Sequence, residues 1–432
     1  MAKDRISVGI LGLGTVGSGV VKVLRQNREG IAHKVGLPVE VAKVVVRDLN
    51  KPRSVDLLPG VLTTNPAEVL EDPAIDVVVE VMGGIEPAKE YILRALHRGK
   101  HVVTANKDLL AIHGKELFDA AAEHGSDLFF EASVAGGIPI IAALKESLAG
   151  NRIRKVMGIV NGTTNFILSK MTALGAGFGE VLAEAQALGY AEADPTADVE
   201  GYDAARKIAI LASIAFNTRV TLRDVYVEGI AKITARDITY ARELGYVIKL
   251  LGIAREAGGV VEVRVHPAFI PREHPLAAVN DAFNAIFITG DAVGDTMFYG
   301  RGAGELPTAS AVVGDIIAVA RDLTHNVSGR IACTCFEQKP IRPMGEVEAS
   351  FYLRLAVKDK PGVLAGIASV FGNQDVSLAT VLQKKTMGED AEIVLITHRV
   401  QEQNLQDALC IIEGLSTVTE ISNVIRVVEG EA

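Results

Sequence analysis

Hydrophobic positions in the first part of the chain fall into short unbroken runs separated by amphipathic stretches. The runs Ile6–Leu11, Val39–Val46, Asp76–Met82, His101–Thr104 and Asp127–Glu131 predict strands. Between them, Val16–Arg25, Pro87–Arg98 and Asp108–His124 space their apolar residues at helical intervals. Strands without polar alternation are buried on both faces, as in a parallel sheet flanked by helices. The pattern therefore predicts a doubly wound α/β domain over residues 1–150.

From Ile153 the rhythm changes. Ile153–Val160 reads as a strand, Phe178–Leu188 as a helix, and Asp198–Phe216 as one long helix with Ile208, Leu211 and Ala212 on its apolar face. Short strands follow at Val261–Val265 and Ala285–Thr289. A glycine-rich turn, YGRGAGELPTAS, then leads into a helix near 307–322, with Pro307 beside its start. This defines a second, α+β domain over 151–330, whose last helix is expected to pack back on the first domain. Residues 331–348 hold Pro340 and Pro343 with little periodicity and read as a linker. The remainder, 349–432, alternates as βαββαβ and is long enough to fold as a small domain.

Composition narrows the function classes. Hydrophobic residues at 49% and charged residues at 22% are those of a globular protein rather than a disordered one. A net charge of -9 with both signs interleaved gives no basic footprint for nucleic acid or an anionic membrane. No apolar run approaches the ~20 residues that span a bilayer. The opening MAKDRISVGILGLG enters a strand almost at once, unlike a signal peptide. Cys333, Cys335 and Cys410 are the only cysteines, which fits a reducing compartment, and a cytoplasmic location is expected. Cys333-x-Cys335 has no second ligand cluster nearby, so these thiols are expected to be buried or incidental.

The turn Gly12-Leu13-Gly14-Thr15-Val16-Gly17 lies between a strand and a helix. In the Rossmann arrangement the first glycine permits the tight turn and the second lets the backbone approach a pyrophosphate. The third lets helix and strand pack closely, with the phosphate over the helix N-terminus. The second strand ends Val46-Arg47-Asp48. Arg47 suits a 2′-phosphate and Asp48 a ribose hydroxyl, so NADP or NAD is expected, with Arg47 favouring NADP. Thr104-Ala105-Asn106-Lys107 closes another strand at the carboxyl edge, where ligands bind in open α/β sheets. Farther on, Glu192, Asp194, Asp198 and Asp203 precede Lys207, and Asp203 and Lys207 share a helix face four residues apart.

The spacing A-x3-G-Y-x3-D-P-x2-D-x2-G-x-D-x3-K, from Ala185 through Gly189 to Lys207, resembles the signature region of homoserine dehydrogenases. GLGTVG, VTANK, EASVAGGIP, VNGTTNF and GRGAG extend the resemblance over roughly residues 5 to 325. The tail is similar to an ACT domain in Asp359-x-Pro361-Gly362-Val363-Leu364 and Asn373-x-Asp375-Val376-Ser377.

The resemblance implies a Rossmann-type nucleotide-binding domain, an α+β catalytic and dimerisation domain, and a C-terminal βαββαβ ACT domain over 349–432. It implies Lys207 as the proton-transferring lysine and Lys107 as a second lysine at the reacting centre, also facing the cofactor. Glu192, Asp198 and Asp203, with Gly189, would bind the substrate or order the site, and Gly304 would lie on the cofactor side. Glu131 with the backbone carbonyls of Val134, Gly136 and Ile138 would hold a monovalent cation, Na+ or K+, since a hard cation takes oxygen ligands.

The implied reaction is reversible hydride transfer between NAD(P)H and L-aspartate 4-semialdehyde, giving L-homoserine in threonine, methionine and isoleucine biosynthesis. Oxidation requires the lysine to lose its proton first and should quicken at alkaline pH. The ACT resemblance implies control by an amino acid, L-threonine, near Gly362 and Asn373. Because ACT units bind effectors where two units meet, a homodimer or homotetramer is expected. Two rivals make different demands. A phosphorylating semialdehyde dehydrogenase needs a nucleophilic cysteine, and none precedes Cys333. A non-catalytic nucleotide and amino-acid sensor would not need the lysine and carboxylate set.

Overall fold

The computed structural model describes residues 3–330, 333–385 and 390–428. From the N-terminus come β1 (Ile6–Leu11), α1 (Thr15–Gln26), α2 (Arg28–Val35), β2 (Val39–Val45), β3 (Leu62–Thr63), α3 (Ala67–Leu70), β4 (Val77–Glu80), α4 (Ala88–Leu96), β5 (His101–Thr104), α5 (Lys107–Glu123) and β6 (Leu128–Phe129). The middle adds β7 (Ile153–Ile159), α6 (Gly162–Leu174), α7 (Phe178–Ala187), α8 (Thr196–Val199), α9 (Tyr202–Ala215), β8 (Tyr226–Val227), α10 (Ala235–Glu243), β9 (Tyr246–Ala257), β10 (Val260–Pro271), β11 (Phe283–Gly290), β12 (Gly294–Arg301) and α11 (Glu305–Thr324). The last part holds β13 (Glu348–Lys358), α12 (Val363–Asn373), β14 (Leu378–Lys385), β15 (Asp390–Thr397), β16 (Val400–Gln401), α13 (Glu402–Glu413) and β17 (Val418–Val427).

These elements form two compact units that interleave along the sequence. One holds Met1–Arg154, Ala209–Arg223 and Asn284–Gln338; the other holds Lys155–Ile208, Asp224–Phe283 and Lys339–Ala432. The segments 151–330 and 331–348 are thus each shared between the units. Ile331 and Ala332, at the start of the expected linker, lie outside the described residues.

In the first unit a parallel sheet runs β3-β2-β1-β4-β5-β6. Strand order reverses at β1 and β4, which opens a crevice beyond their carboxyl ends, the ligand position of doubly wound sheets. Every residue of β1 is buried, so the helices must pack tightly over it. A Cβ at Gly17 would stand 2.2 Å from the Gly12 carbonyl oxygen, and one at Gly19 would stand 2.7 Å from that of Glu305. Small residues therefore let α1 lie close to both the β1 turn and α11. Val312, Val313, Ile316 and Val319 of α11 join Ile6, Val8, Val20 and Val77 in one core.

In the second unit β7, β9, β10, β17, β13, β15 and β14 follow one another across one sheet. The last four strands with α12 and α13 make the βαββαβ tail, whose core is Phe351, Leu353, Leu355, Ile367, Phe371 and Leu405. On the other sheet face Tyr352 and Arg354 are buried against β10 and α10. Tyr352 stacks on Phe269 with ring centroids 4.4 Å apart, and Arg354 Nε donates to Asp237 at 2.7 Å. Asp237 also closes a capping box with Thr234 at the start of α10 and accepts from Asn423 at 2.8 Å. Burial opposes its charge, but hydrogen bonds from Arg354, Thr234 and Asn423 hold the carboxyl below its ordinary range. Two register pairs, Ala268↔Arg426 and Phe269↔Val427, extend the tail sheet into β10.

The long helix expected over Asp198–Phe216 is instead two helices. Gly201 breaks it with φ +85, its position closed in by Val227 and Val265 at 3.2 Å from any added Cβ. Asp198 consequently belongs to α8 and Asp203 to α9.

Two neighbouring glycines should respond differently to a methyl group. Gly17→Ala forces α1 off the Gly12 carbonyl and should cost about 1–3 kcal/mol. Gly14→Ala meets nothing within 4 Å at a negative φ and should leave stability nearly unchanged. Thermal denaturation of both variants measures the contrast; equal losses would refute the packing role of Gly17.

Candidate active site

The carboxyl edge of the parallel sheet is shaped by three features of the first unit. Gly12 adopts φ +102 and turns beneath the Val81 carbonyl, 3.0 Å from where its Cβ would sit. Gly14, the N-cap of α1, is exposed with open space above it, and Thr15 is exposed beside it. The first main-chain N–H groups of α1 thus remain approachable, as a dinucleotide pyrophosphate requires. Leu13 and Val16 are half-buried flanks of the turn.

A buried carboxylate that sequence reasoning missed, Glu80, organises the neighbouring loops. It accepts from the main-chain N–H groups of Met82 at 2.8 Å and Gly83 at 3.2 Å, and from Thr104 Oγ1 at 2.7 Å. Asn106 donates to the Gly84 carbonyl and caps α5 through Leu109 N–H. Lys107 opens α5 at this edge, half-buried. Arg47 follows β2 and is exposed.

Two separate sequence segments, EASVAGGIP and GRGAG, meet in the same unit. A Cβ at Gly136 would lie 2.5 Å from the Gly302 carbonyl oxygen, and one at Gly302 would lie 2.0 Å from the Asn284 amide. Gly137 N–H donates to the Arg301 carbonyl at 3.1 Å, and Gly304 caps α11 with φ +118. Ala135 and Gly136 are both left-handed, at φ +55 and +54, which bends the main chain sharply between Val134 and Ile138.

The two carboxylate oxygens of Glu131 accept from Ile141 and Ala142 N–H, each at 2.7 Å. Burial still pushes its pKa up. Its carbonyl, like those of Val134, Gly136 and Ile138, is what it can offer to a cation. Among the described residues no cluster of three His, Cys, Asp or Glu side chains is arranged for a metal.

The lysine and carboxylates converge in the second unit. Lys207 Nζ donates to Asp203 at 2.6 Å and to the Val160 carbonyl at 2.7 Å. Asn161, next after Val160 at the end of β7, donates one amide hydrogen to Asp198 at 2.7 Å and the other to Asp203 at 2.9 Å. Its carbonyl oxygen caps α6 through Thr164 N–H and Oγ1, both at 2.8 Å. Burial raises the Asp198 pKa, the Asn161 amide opposes that rise, and the charge of Asp203 adds to it. Sequence reading had assigned Asn161 no role; its position in VNGTTNF, straight after a strand and three before the Thr164 it caps, was the available signal.

Other expected residues lie outside this hydrogen-bonded set. Glu192 is exposed, and its main-chain carbonyl accepts from Gln186. Gly189 is left-handed with φ +77, in the turn after α7. In the tail, Gly362 caps α12 with φ +87, and Asn373 ends that helix exposed. The corner can thus present an ammonium proton beside two carboxylates, a set suited to a polar substrate bearing both an amine and a carbonyl.

Comparison with known proteins agrees along the chain. The family model described as homoserine dehydrogenase matches residues 139–317, its NAD binding domain matches 12–131, and an ACT domain model matches 351–415. A homoserine dehydrogenase of Bacillus subtilis is 50% identical over 424 residues, covering 98% of each chain. The crystal structure of a homoserine dehydrogenase from Thiobacillus denitrificans is 48% identical, with a TM-score of 0.94 over 99% of both chains. A hyperthermophilic archaeal homoserine dehydrogenase, solved in complex with NADPH, is 28% identical with a TM-score of 0.63, over 73% of this chain and 97% of its own.

Asn161→Ala should have two separable effects. Losing the α6 cap costs about 1–2 kcal/mol of stability. Losing a donor that favours the Asp198 carboxylate raises that pKa further, so the acid limb of the turnover profile should move to higher pH. A lower melting temperature with an unmoved acid limb would reduce Asn161 to a helix cap.

Proposed function

The chain belongs to the homoserine dehydrogenase family, and we propose that Lys207 is its proton-transfer group, acting between L-aspartate 4-semialdehyde and L-homoserine. It is an oxidoreductase that uses a nicotinamide cofactor. The glycine turn fits that group: Gly14 leaves the α1 N-terminus open, and Gly17 leaves no room for a side chain beneath it.

The observation that carries the mechanism is the pairing of Lys207 with Asp203 and the Val160 carbonyl. When bound, the reduced nicotinamide supplies the hydride that reaches the aldehyde carbon. Lys207, positioned by those two acceptors, gives its proton to the aldehyde oxygen as negative charge develops there. Asp198 and Asp203 hold the substrate amino group, with Glu192 and the turn at Gly189 completing that subsite. Lys107 acts as a second cation at the reacting centre. Asn161 keeps both aspartates in place from behind.

Further assignments rest on the same reading. NADP is the preferred cofactor, supported by exposed Arg47 after β2, and the archaeal relative was solved with NADPH. A monovalent cation, Na+ or K+, takes main-chain carbonyls of Glu131, Val134, Gly136 and Ile138. The left-handed pair Ala135–Gly136 supports that loop shape. The enzyme serves threonine, methionine and isoleucine biosynthesis in the cytoplasm as a homodimer or homotetramer. L-Threonine acts on the ACT domain at Gly362 and Asn373. No helix among the described residues is long and apolar enough to cross a membrane, and all three thiols are unpaired.

Lys207→Ala should lower kcat by about 10²–10⁴ while the protein stays folded. Near-normal turnover would remove the lysine from this role. Threonine should inhibit the wild type, and Asn373→Ala should lose about tenfold of that sensitivity through a missing polar contact. Steady-state titration tests this, and equal sensitivity of the two proteins would reject the site. Cutting the chain before Phe351 is a poorer test, because it would leave Asp237 without Arg354.

A further inference from the structure

The two thiols of Cys333-x-Cys335 are not both buried. Cys333 is exposed and Cys335 half-buried, in a segment fastened to the end of α9. Glu337 N–H donates to the Asn217 carbonyl at 2.8 Å, Thr218 and Glu337 form a bridge, and Cys335 Sγ donates to the Ser213 carbonyl at 3.9 Å. This anchoring fixes Cys335 while Cys333, two residues nearer the N-terminus, stays open to solvent.

Both cysteines line one small cavity of about 50 Å³ with Lys145 and Arg219, and among the described residues no acidic side chain lines it. Lys145 is held over the Phe118 and Phe130 rings, with Nζ 5.5 and 4.9 Å from the centroids. Its charge and that of Arg219 therefore bear on the thiols. The Cys335 thiol and main-chain N–H lie against Cys333 and favour its thiolate. Together with the two cations, these neighbours overcome burial and bring the Cys333 pKa down to about 6, while the same proximity pushes Cys335 up. A thiolate nucleophile and a protonated partner thus stand side by side.

We propose that Cys333 and Cys335 form a peroxide-oxidisable thiol pair that closes reversibly to an intrachain disulfide. In the first step the Cys333 thiolate attacks one oxygen of a hydroperoxide. The O–O bond breaks, the distal fragment leaves as an alkoxide or hydroxide that takes a proton from solvent, and Cys333 becomes a sulfenic acid. The Cys335 sulfur then attacks the Cys333 sulfur, its proton leaves with the hydroxyl, and water is released as the S–S bond forms. The two thiols lose two electrons and the hydroperoxide gains them. A dithiol reductant reverses the change by thiol–disulfide exchange. Neither cysteine belongs to the catalytic corner, so the proposal stands independently of the assigned reaction.

The test uses the reduced full-length protein and stoichiometric hydrogen peroxide, followed by non-reducing digestion and mass spectrometry. The peptide that begins after Arg330 should lose two hydrogens, regain them with dithiothreitol, and show no crosslink to a second chain. Cys335→Ser should accumulate a dimedone-reactive sulfenic acid at Cys333, whereas Cys333→Ser should give no such adduct at Cys335. Both variants should retain turnover, which reports an intact fold.

At pH 6 Cys333 should alkylate about tenfold faster than an unstructured cysteine peptide, allowing for the weaker nucleophilicity of a low-pKa thiolate. Alkylation at the peptide's rate, crosslinks only between chains, or sulfenic acid trapped first at Cys335 would each overturn the proposal.

Discussion

Two carboxylates in one half-buried corner repel each other, and the corner holding Asp198 and Asp203 exists because donors reach both. Asn161 spends its two amide hydrogens there, one on each carboxylate, and its oxygen on the first turn of α6. All four of its hydrogen-bonding positions are thereby filled. Lys207 completes the charge balance and is itself tethered to Val160, the residue before Asn161. The end of one strand therefore fixes both the proton carrier and the groups around it. The break at Gly201 serves the same arrangement, because it lets Asp198 approach from α8 and Asp203 from α9.

The first unit solves a different problem, the approach of a ligand to main chain. Its glycines divide the work according to space. Gly12 and Gly17 are required by neighbouring backbone, Gly14 by what must come near from outside, Gly136 by the Gly302 carbonyl, and Gly302 by the Asn284 amide. Glu80 then ties the two loops at the β4 and β5 ends into one rim, using main-chain donors that would otherwise be left without partners.

Local signals in the sequence read well. The strand, turn and helix around Gly12, Gly14 and Gly17 depend on contiguous residues, and so does the βαββαβ tail. What failed depended on distance. The helix period runs smoothly across Gly201, and only the side chains of Val227 and Val265 reveal why the chain turns there. Asn161 lies 37 and 42 residues from its aspartate partners, so no local pattern announces it. Glu131, named by the resemblance for a cation, spends its carboxylate on N–H groups ten and eleven residues later, a pairing no local pattern announces. Cys333, expected to be buried or incidental, is exposed two residues before the thiol that reaches the Ser213 carbonyl.

The tail sheet packs against other elements on both faces. Its helices cover one side, while Tyr352 and Arg354 on the other are enclosed by β10 and α10, with Arg354 filling an acidic socket at Asp237. A buried carboxylate that loses its cation is costly, by about 3–5 kcal/mol. Recombination between relatives is therefore constrained at this junction: a foreign tail must bring an arginine at the matching register as well as a compatible fold. The pairs Ala268↔Arg426 and Phe269↔Val427 add a requirement on strand alignment. Domain exchange here would have to be inherited as a matched set, with helix α10 and the tail sheet changing together.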